Sequence, residues 1–127
     1  MARVAVPLAL AIACSMTTSA RAATQDDFLV RNTRDIVDLC TTSENDPLYT
    51  AAVNFCHGYL LGAFQYHTAM TQAGGVRKIC LPNPQPSRNE AIRNFIAWAS
   101  NDPRVLDERA VDAVARFIDM KWSCPSR

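Results

Sequence analysis

The chain has 127 residues, of which 49% are hydrophobic and 20% charged, with a formal net charge of +1. That length suits one domain, and the balanced, scattered charges exclude the basic field that nucleic acid or an anionic lipid surface requires. Five cysteines and two histidines, without paired ligands at short spacing, give no metal site, and no cofactor is expected.

Met1-Ala2-Arg3 is a short basic start, followed by an apolar run over residues 4–13 that is too short to span a bilayer. Ala20-Arg21-Ala22 then places small residues where signal peptidase needs them. The reading is a signal peptide over residues 1–22, a helical domain over residues 23–127, and export to the periplasm. An alternative takes Ala11-Ile12-Ala13-Cys14 as a lipoprotein signal, with Cys14 the lipidated first residue. Loss of residues 1–22 removes Arg3 and Arg21, leaving eleven Lys and Arg against twelve Asp and Glu. No second apolar run follows, so no membrane insertion is expected once the leader is gone.

The fold class expected is all-α, a small disulfide-stapled bundle of four main helices near residues 25–40, 47–71, 88–101 and 104–120. Helix 1 opens at Thr24, whose hydroxyl can cap Asp27, with Asp26 and Asp27 in the first turn. Its apolar stripe is Leu29, Thr33, Ile36, Val37 and Cys40, and Arg31, Arg34, Asp35 and Asp38 form a solvated face. Asp46 and Pro47 open helix 2, and Gly74-Gly75 ends it. Three prolines among residues 82–86 enforce an extended connection. Ser87 with Glu90 opens helix 3, and Asp102-Pro103 opens the last helix, with Asp107 an alternative start. Ala110, Val111, Val114, Phe117 and Ile118 are its inward set, and Pro125 forbids continuation.

Helix 2 carries Gly58 and Gly62, four apart on one face. Each costs about 1 kcal/mol relative to Ala within a helix, a cost that close approach of another backbone would offset. These packing glycines place helix 2 at the centre of the bundle.

Cys40, Cys56, Cys80 and Cys124 remain after export, an even number in a small secreted chain, so two disulfides are the default. All three connectivities are open to the sequence. Helices 3 and 4 form an antiparallel hairpin that Cys80 enters and Cys124 leaves, which favours Cys80 with Cys124 and Cys40 with Cys56. Cys56 and His57 point about 100 degrees apart on a helix, which is wrong for a nucleophile and its base. His57 and His67 do not share a face for metal. No catalytic motif appears, and an enzyme is not expected.

Leu39-Cys40, Cys56-x-Gly58-Tyr59-x-x-Gly62, Ile79-Cys80-Leu81-Pro82, Asp102-Pro103 and a terminal Trp122-x-Cys124-Pro125, in that order, resemble the Tai-type immunity proteins of type VI secretion. This chain has Gln65 where that pattern often has Asp, and Trp122-Ser123-Cys124 where it has Phe-Pro-Cys. The resemblance implies a periplasmic helical protein, often a homodimer, that protects its cell by occluding a peptidoglycan amidase effector. Alternatives of another class are a periplasmic acid-stress or chaperone-like protein and an orphan protein-binding domain on the same scaffold. The parts least committed to caps, core or disulfides are the 41–46 loop and the 73–78 connection, so Glu44, Arg77 and Lys78 are the candidate partner-binding residues.

Overall fold

The computed structural model describes residues 22–73, 75 and 78–125; residues 1–21 of the expected leader, Cys14 among them, and Gly74 and Arg77 lie outside them. The described chain is all-helical, in the order of a 3-10 turn Gln25–Leu29, α1 Thr33–Cys40, α2 Tyr49–Gln72, α3 Arg88–Ser100, α4 Pro103–Asp107 and α5 Ala110–Trp122. Four of these helices are long enough to form the bundle, and the single bridge among the described residues pairs Ile79 with Ser123 in antiparallel sense.

Helix 1 of the sequence reading is two pieces. Val30 takes a left-handed conformation at φ 45°, and Asn32 restarts the helix by accepting a hydrogen bond from the Asp35 N–H at 3.1 Å. The restart is fixed from a distance, because the Thr33 N–H and hydroxyl both donate to the Glu108 carbonyl, at 2.8 and 3.1 Å. A break upstream of Thr33 leaves its N–H free of the helix ladder and available for that contact. Two side chains change role as a result. Leu29 is 65% exposed rather than part of the buried stripe. Asp35 is buried rather than solvated, and its carboxylate accepts from the Arg31 N–H at 2.9 Å.

The last helix also divides, and for the same reason. Glu108 is extended, its carbonyl turned to Thr33 instead of into a helix, so α4 ends at Asp107 and α5 starts at Ala110. Asp107 caps nothing; it pairs instead with Arg34 at 3.0 Å. Within α5, Val111 is exposed and Ala113 takes the buried position beside Val114, Phe117 and Ile118. Asp102 does open α4, accepting from the Arg104 N–H at 3.0 Å, and Ser87 opens α3 by accepting from the Glu90 N–H at 3.2 Å. The start of α2 slips two residues: Asp46 caps a turn by accepting from the Leu48 N–H at 2.8 Å, and the helix proper begins at Tyr49.

The centre of the bundle is α1, not α2. This short helix touches the 3-10 turn and every other helix, and Thr33, Ile36 and Leu39 are fully buried along it. Helix α2 buries only Ala52, Cys56 and Leu60, one residue per turn, and lies along one side. Two disulfides fasten it and the chain end: Cys40–Cys56 ties α1 to α2, and Cys80–Cys124 ties the connection after α2 to the end of α5. Around the second, the Cys80 N–H donates to the Trp122 carbonyl at 2.7 Å and the Cys124 N–H to the Lys78 carbonyl at 2.8 Å.

Candidate partner-binding surface

Gly58 and Gly62 have no backbone against them. Both are exposed, and a Cβ built at either meets nothing of the surrounding structure within 4 Å. The expectation that they seat a neighbouring helix of this chain is therefore overturned. The spacing correctly put them on one face; that face points to solvent, because α2 buries its opposite edge on α1 and α5.

The exposed face of α2 has a second property. Its exposed positions are Thr50, Ala51, Asn54, Gly58, Gly62, Gln65, Tyr66, Ala69, Met70 and Gln72, and no residue of α2 is Asp, Glu, Lys or Arg. Helix faces turned to water ordinarily carry charge, so a 24-residue helix without any is unusual for a surface element. Tyr66 and Met70 stand among its most exposed large side chains, at 65% and 57%. Tyr59, half-buried and stacked on Phe55, has its phenol pushed above the ordinary value by burial, with the Asp112 carboxylate adding to the effect.

An open apolar groove of about 240 Å³ runs beside this face. Leu61 and Phe64 form its α2 rim, and Leu81 and Pro86 of the proline-rich connection form the opposite one. The floor is an aromatic series in which Phe64 meets Trp122 at 5.9 Å, Trp122 meets Phe117 at 5.6 Å and Phe117 meets Phe95 at 5.6 Å. Edge-on contacts of this kind stabilise the rings beyond their burial and hold the floor rigid. Arg88 at the rim is the one charged residue of the lining, and it has no ion-pair partner among the described residues. Since Leu61 adjoins Gly62 and Leu60, the groove and the uncharged α2 face form one continuous surface.

The surface around α4 and the start of α5 is highly charged but internally neutralised. Arg34 pairs with Asp107 at 3.0 Å, Arg104 with Asp102 at 2.9 Å, Arg109 with Asp112 at 2.6 Å and Arg116 with Glu108 at 2.6 Å. Arg116 also lies over the Trp98 ring at 5.0 Å. The Asp102 carboxyl is held below its ordinary value, first by the Arg104 side-chain hydrogen bond and then by its backbone one.

Of the residues expected from the sequence to bind a partner, Arg77 lies outside the described residues, and Glu44 and Lys78 stand on different segments. Glu44 is exposed in the turn before α2. Lys78 is exposed beside the end of α5, where its carbonyl accepts from the Cys124 N–H at 2.8 Å. The groove itself escaped the sequence, since it is assembled from three helices and a connection; the absence of charge throughout residues 49–72 was the legible signal. No group of His, Cys, Asp or Glu among the described residues is arranged to hold a metal, and His67 instead bonds Asp119 of α5 at 2.8 Å. No helix among the described residues is long and apolar enough to cross a membrane.

A family model described as Rap1a immunity proteins matches residues 32–124, from the Asn32 cap to Cys124. No curated protein and no solved structure matches the chain.

Proposed function

The chain belongs to the Rap1a immunity protein family, and from that membership we propose that it is a periplasmic immunity protein that blocks a type VI secreted peptidoglycan amidase by stoichiometric binding. Membership implies a protein partner and a secreted effector; the resemblance of the cysteine, glycine and proline motifs to Tai-type proteins supports the amidase. The leader-like residues 1–22 and the two disulfides support the periplasm, where disulfides persist.

The observation that carries the choice of surface is the uncharged, glycine-bearing face of α2. Two exposed helix glycines each cost about 1 kcal/mol, and among the described residues no contact within 4 Å of a built Cβ offsets them. A partner backbone lying across Gly58 and Gly62 would do so. Charged residues are depleted at the centres of protein interfaces, while Tyr and Met are enriched there, as at Tyr66 and Met70. The groove beside this face accepts an apolar side chain of the effector, with an anionic neighbour favoured by Arg88.

The test is inhibition of any peptidoglycan amidase found encoded beside this protein, measured on purified peptidoglycan. The wild-type protein is expected to abolish activity at equimolar concentration. Gly62→Arg and Tyr66→Asp, both on an exposed helix face, should weaken inhibition at least tenfold while leaving the circular dichroism spectrum unchanged. Charge reversals at Glu44, Arg77 and Lys78 form the rival arm. If those reversals weaken inhibition and the α2 substitutions do not, the loops carry the contact and the α2 assignment is wrong. If wild-type protein leaves the amidase active, the amidase reading is wrong.

A further inference from the structure

Ala22 is exposed, whereas Ala23 is buried and belongs to the hydrophobic core cluster. The Ala23 N–H donates to Asp46 Oδ2 at 3.1 Å. The other carboxylate oxygen, Oδ1, accepts from the Leu48 N–H at 2.8 Å, so the turn before α2 fixes the orientation of the acid. The following residue is held in a similar way: the Thr24 N–H donates to Oδ2 of Asp27 at 2.7 Å, and Asp27 is 3% exposed. Two consecutive backbone nitrogens are therefore each seated on a carboxylate. No Lys, Arg or His among the described residues makes an ion pair with Asp46.

A half-buried carboxylate with no ion-pair partner among the described residues, one oxygen of which faces the Ala23 nitrogen, is matched better by an ammonium there than by an amide. A hydrogen bond between two charged partners is roughly twice as strong as one between neutral groups. The sequence supplies the means of making that nitrogen cationic, because the small-x-small motif Ala20-Arg21-Ala22 ends immediately before it. Ala23, the residue that follows the motif, and its acceptor Asp46 lie 23 residues apart in the chain and are joined by this hydrogen bond.

We propose that removal of the leader between Ala22 and Ala23 is a maturation step that also locks the fold, through an ion pair between the new N-terminus and Asp46. A signal peptidase hydrolyses the Ala22–Ala23 peptide bond with one water. The leader departs with the Ala22 carboxylate, and Ala23 keeps its nitrogen as an α-ammonium, protonated at neutral pH and below. The precursor has only the neutral amide to offer Asp46. The processed chain has an ammonium with further N–H groups at the same position, so part of the stability of the domain appears only after export, when folding no longer hinders translocation. The inference does not depend on which effector the protein binds.

The experiment expresses the full reading frame, recovers the protein from the periplasm and compares it with a chain carrying Gly-Ser inserted between Ala22 and Ala23. The insertion keeps the cleavage motif but moves the ammonium two residues away and returns the Ala23 nitrogen to an amide. Intact mass should identify Ala23 as the first residue of the parent. Its Tm should exceed that of the inserted chain by about 3–6 °C. In D46N, where the amide oxygen can still accept from the Leu48 N–H, the gap between the two chains should close. Equal Tm values for parent and inserted chain would overturn the proposal, as would a mature chain starting anywhere but Ala23, lipidated Cys14 included. Should D46N fail to accumulate, the parent and inserted chains decide the question between them.

Discussion

Replacing Gly58 and Gly62 by Ala tests the reading of α2 in two directions at once. In an exposed helix interior Ala is favoured over Gly by about 0.8–1.0 kcal/mol, because the glycine backbone loses more freedom on folding. The added methyl groups meet no heavy atom of the surrounding structure within 4 Å, so no packing term opposes the gain. The two positions are one turn apart and share no partner, and the double variant should gain about 2 kcal/mol. For a domain of about 100 residues that is a rise in Tm of about 8 °C, read by the circular dichroism signal at 222 nm. Affinity for the effector should move the other way, since each methyl holds a partner backbone off by more than a close helix contact tolerates. A higher Tm with weaker inhibition is the combination that the proposed surface requires. A Tm equal to or below wild type would show that another part of the chain approaches these glycines, and the description of α2 as an outer helix would fail.

Thr33→Val removes the hydroxyl that donates to the Glu108 carbonyl at a fully buried position, and should cost about 1 kcal/mol in urea unfolding; an unchanged midpoint would show that the backbone N–H alone secures the α1 start. Replacing both Cys80 and Cys124 by Ala opens a 44-residue loop and should cost about 4 kcal/mol on the chain-entropy model, against about 3 kcal/mol for the 16-residue Cys40–Cys56 loop. Finding the second pair the more costly would point to native-state contacts rather than loop entropy. Asp102 has a folded pKa lowered from 3.8, so the unfolded chain takes up the proton first. Its contribution is complete above that ordinary value and is lost as pH falls through the lowered one. Asp102→Asn keeps an acceptor for the Arg104 N–H, so the variant should differ from wild type at neutral pH and converge with it in acid; a gap that persists in acid would exclude the carboxylate as its source.

Much of the architecture was legible because local chemistry and tertiary contact agree. Ser87, Asp102-Pro103 and the prolines of the connection act within a few residues of themselves, and the elements they bound are where the sequence puts them. The two divided helices were not legible, and one contact accounts for both. The Glu108 carbonyl receives the Thr33 N–H across 75 residues of sequence, and no window of either helix reveals it. Leu29 fits a 3.6-residue stripe well, but the chain turns at Val30 and Leu29 alone of that stripe is left in solvent. The glycines of α2 teach a narrower lesson: their spacing gives a face and a free-energy cost, but not whether the compensating contact is inside the protein. The candidate surface was half visible, as an uncharged helix, and half hidden, as a groove shared by Leu61, Leu81, Phe95 and Phe117.

The ion pairs across α4 and α5 bear on the rate at which this protein can find a partner. Exposed pairs of this kind add little to stability, but each cancels the far field of its own members. Arg34 with Asp107, Arg104 with Asp102, Arg109 with Asp112 and Arg116 with Glu108 thus leave that side with little reach into solution, and α2 contributes none. An encounter through the proposed α2 face would gain no long-range steering from these pairs, which by themselves leave the association rate on the order of 10⁵–10⁶ M⁻¹s⁻¹. A tight complex formed this way owes its affinity to slow dissociation. Under the proposed function, protection would depend on the protein outnumbering its effector before the effector arrives, and its concentration would become as important as any single contact.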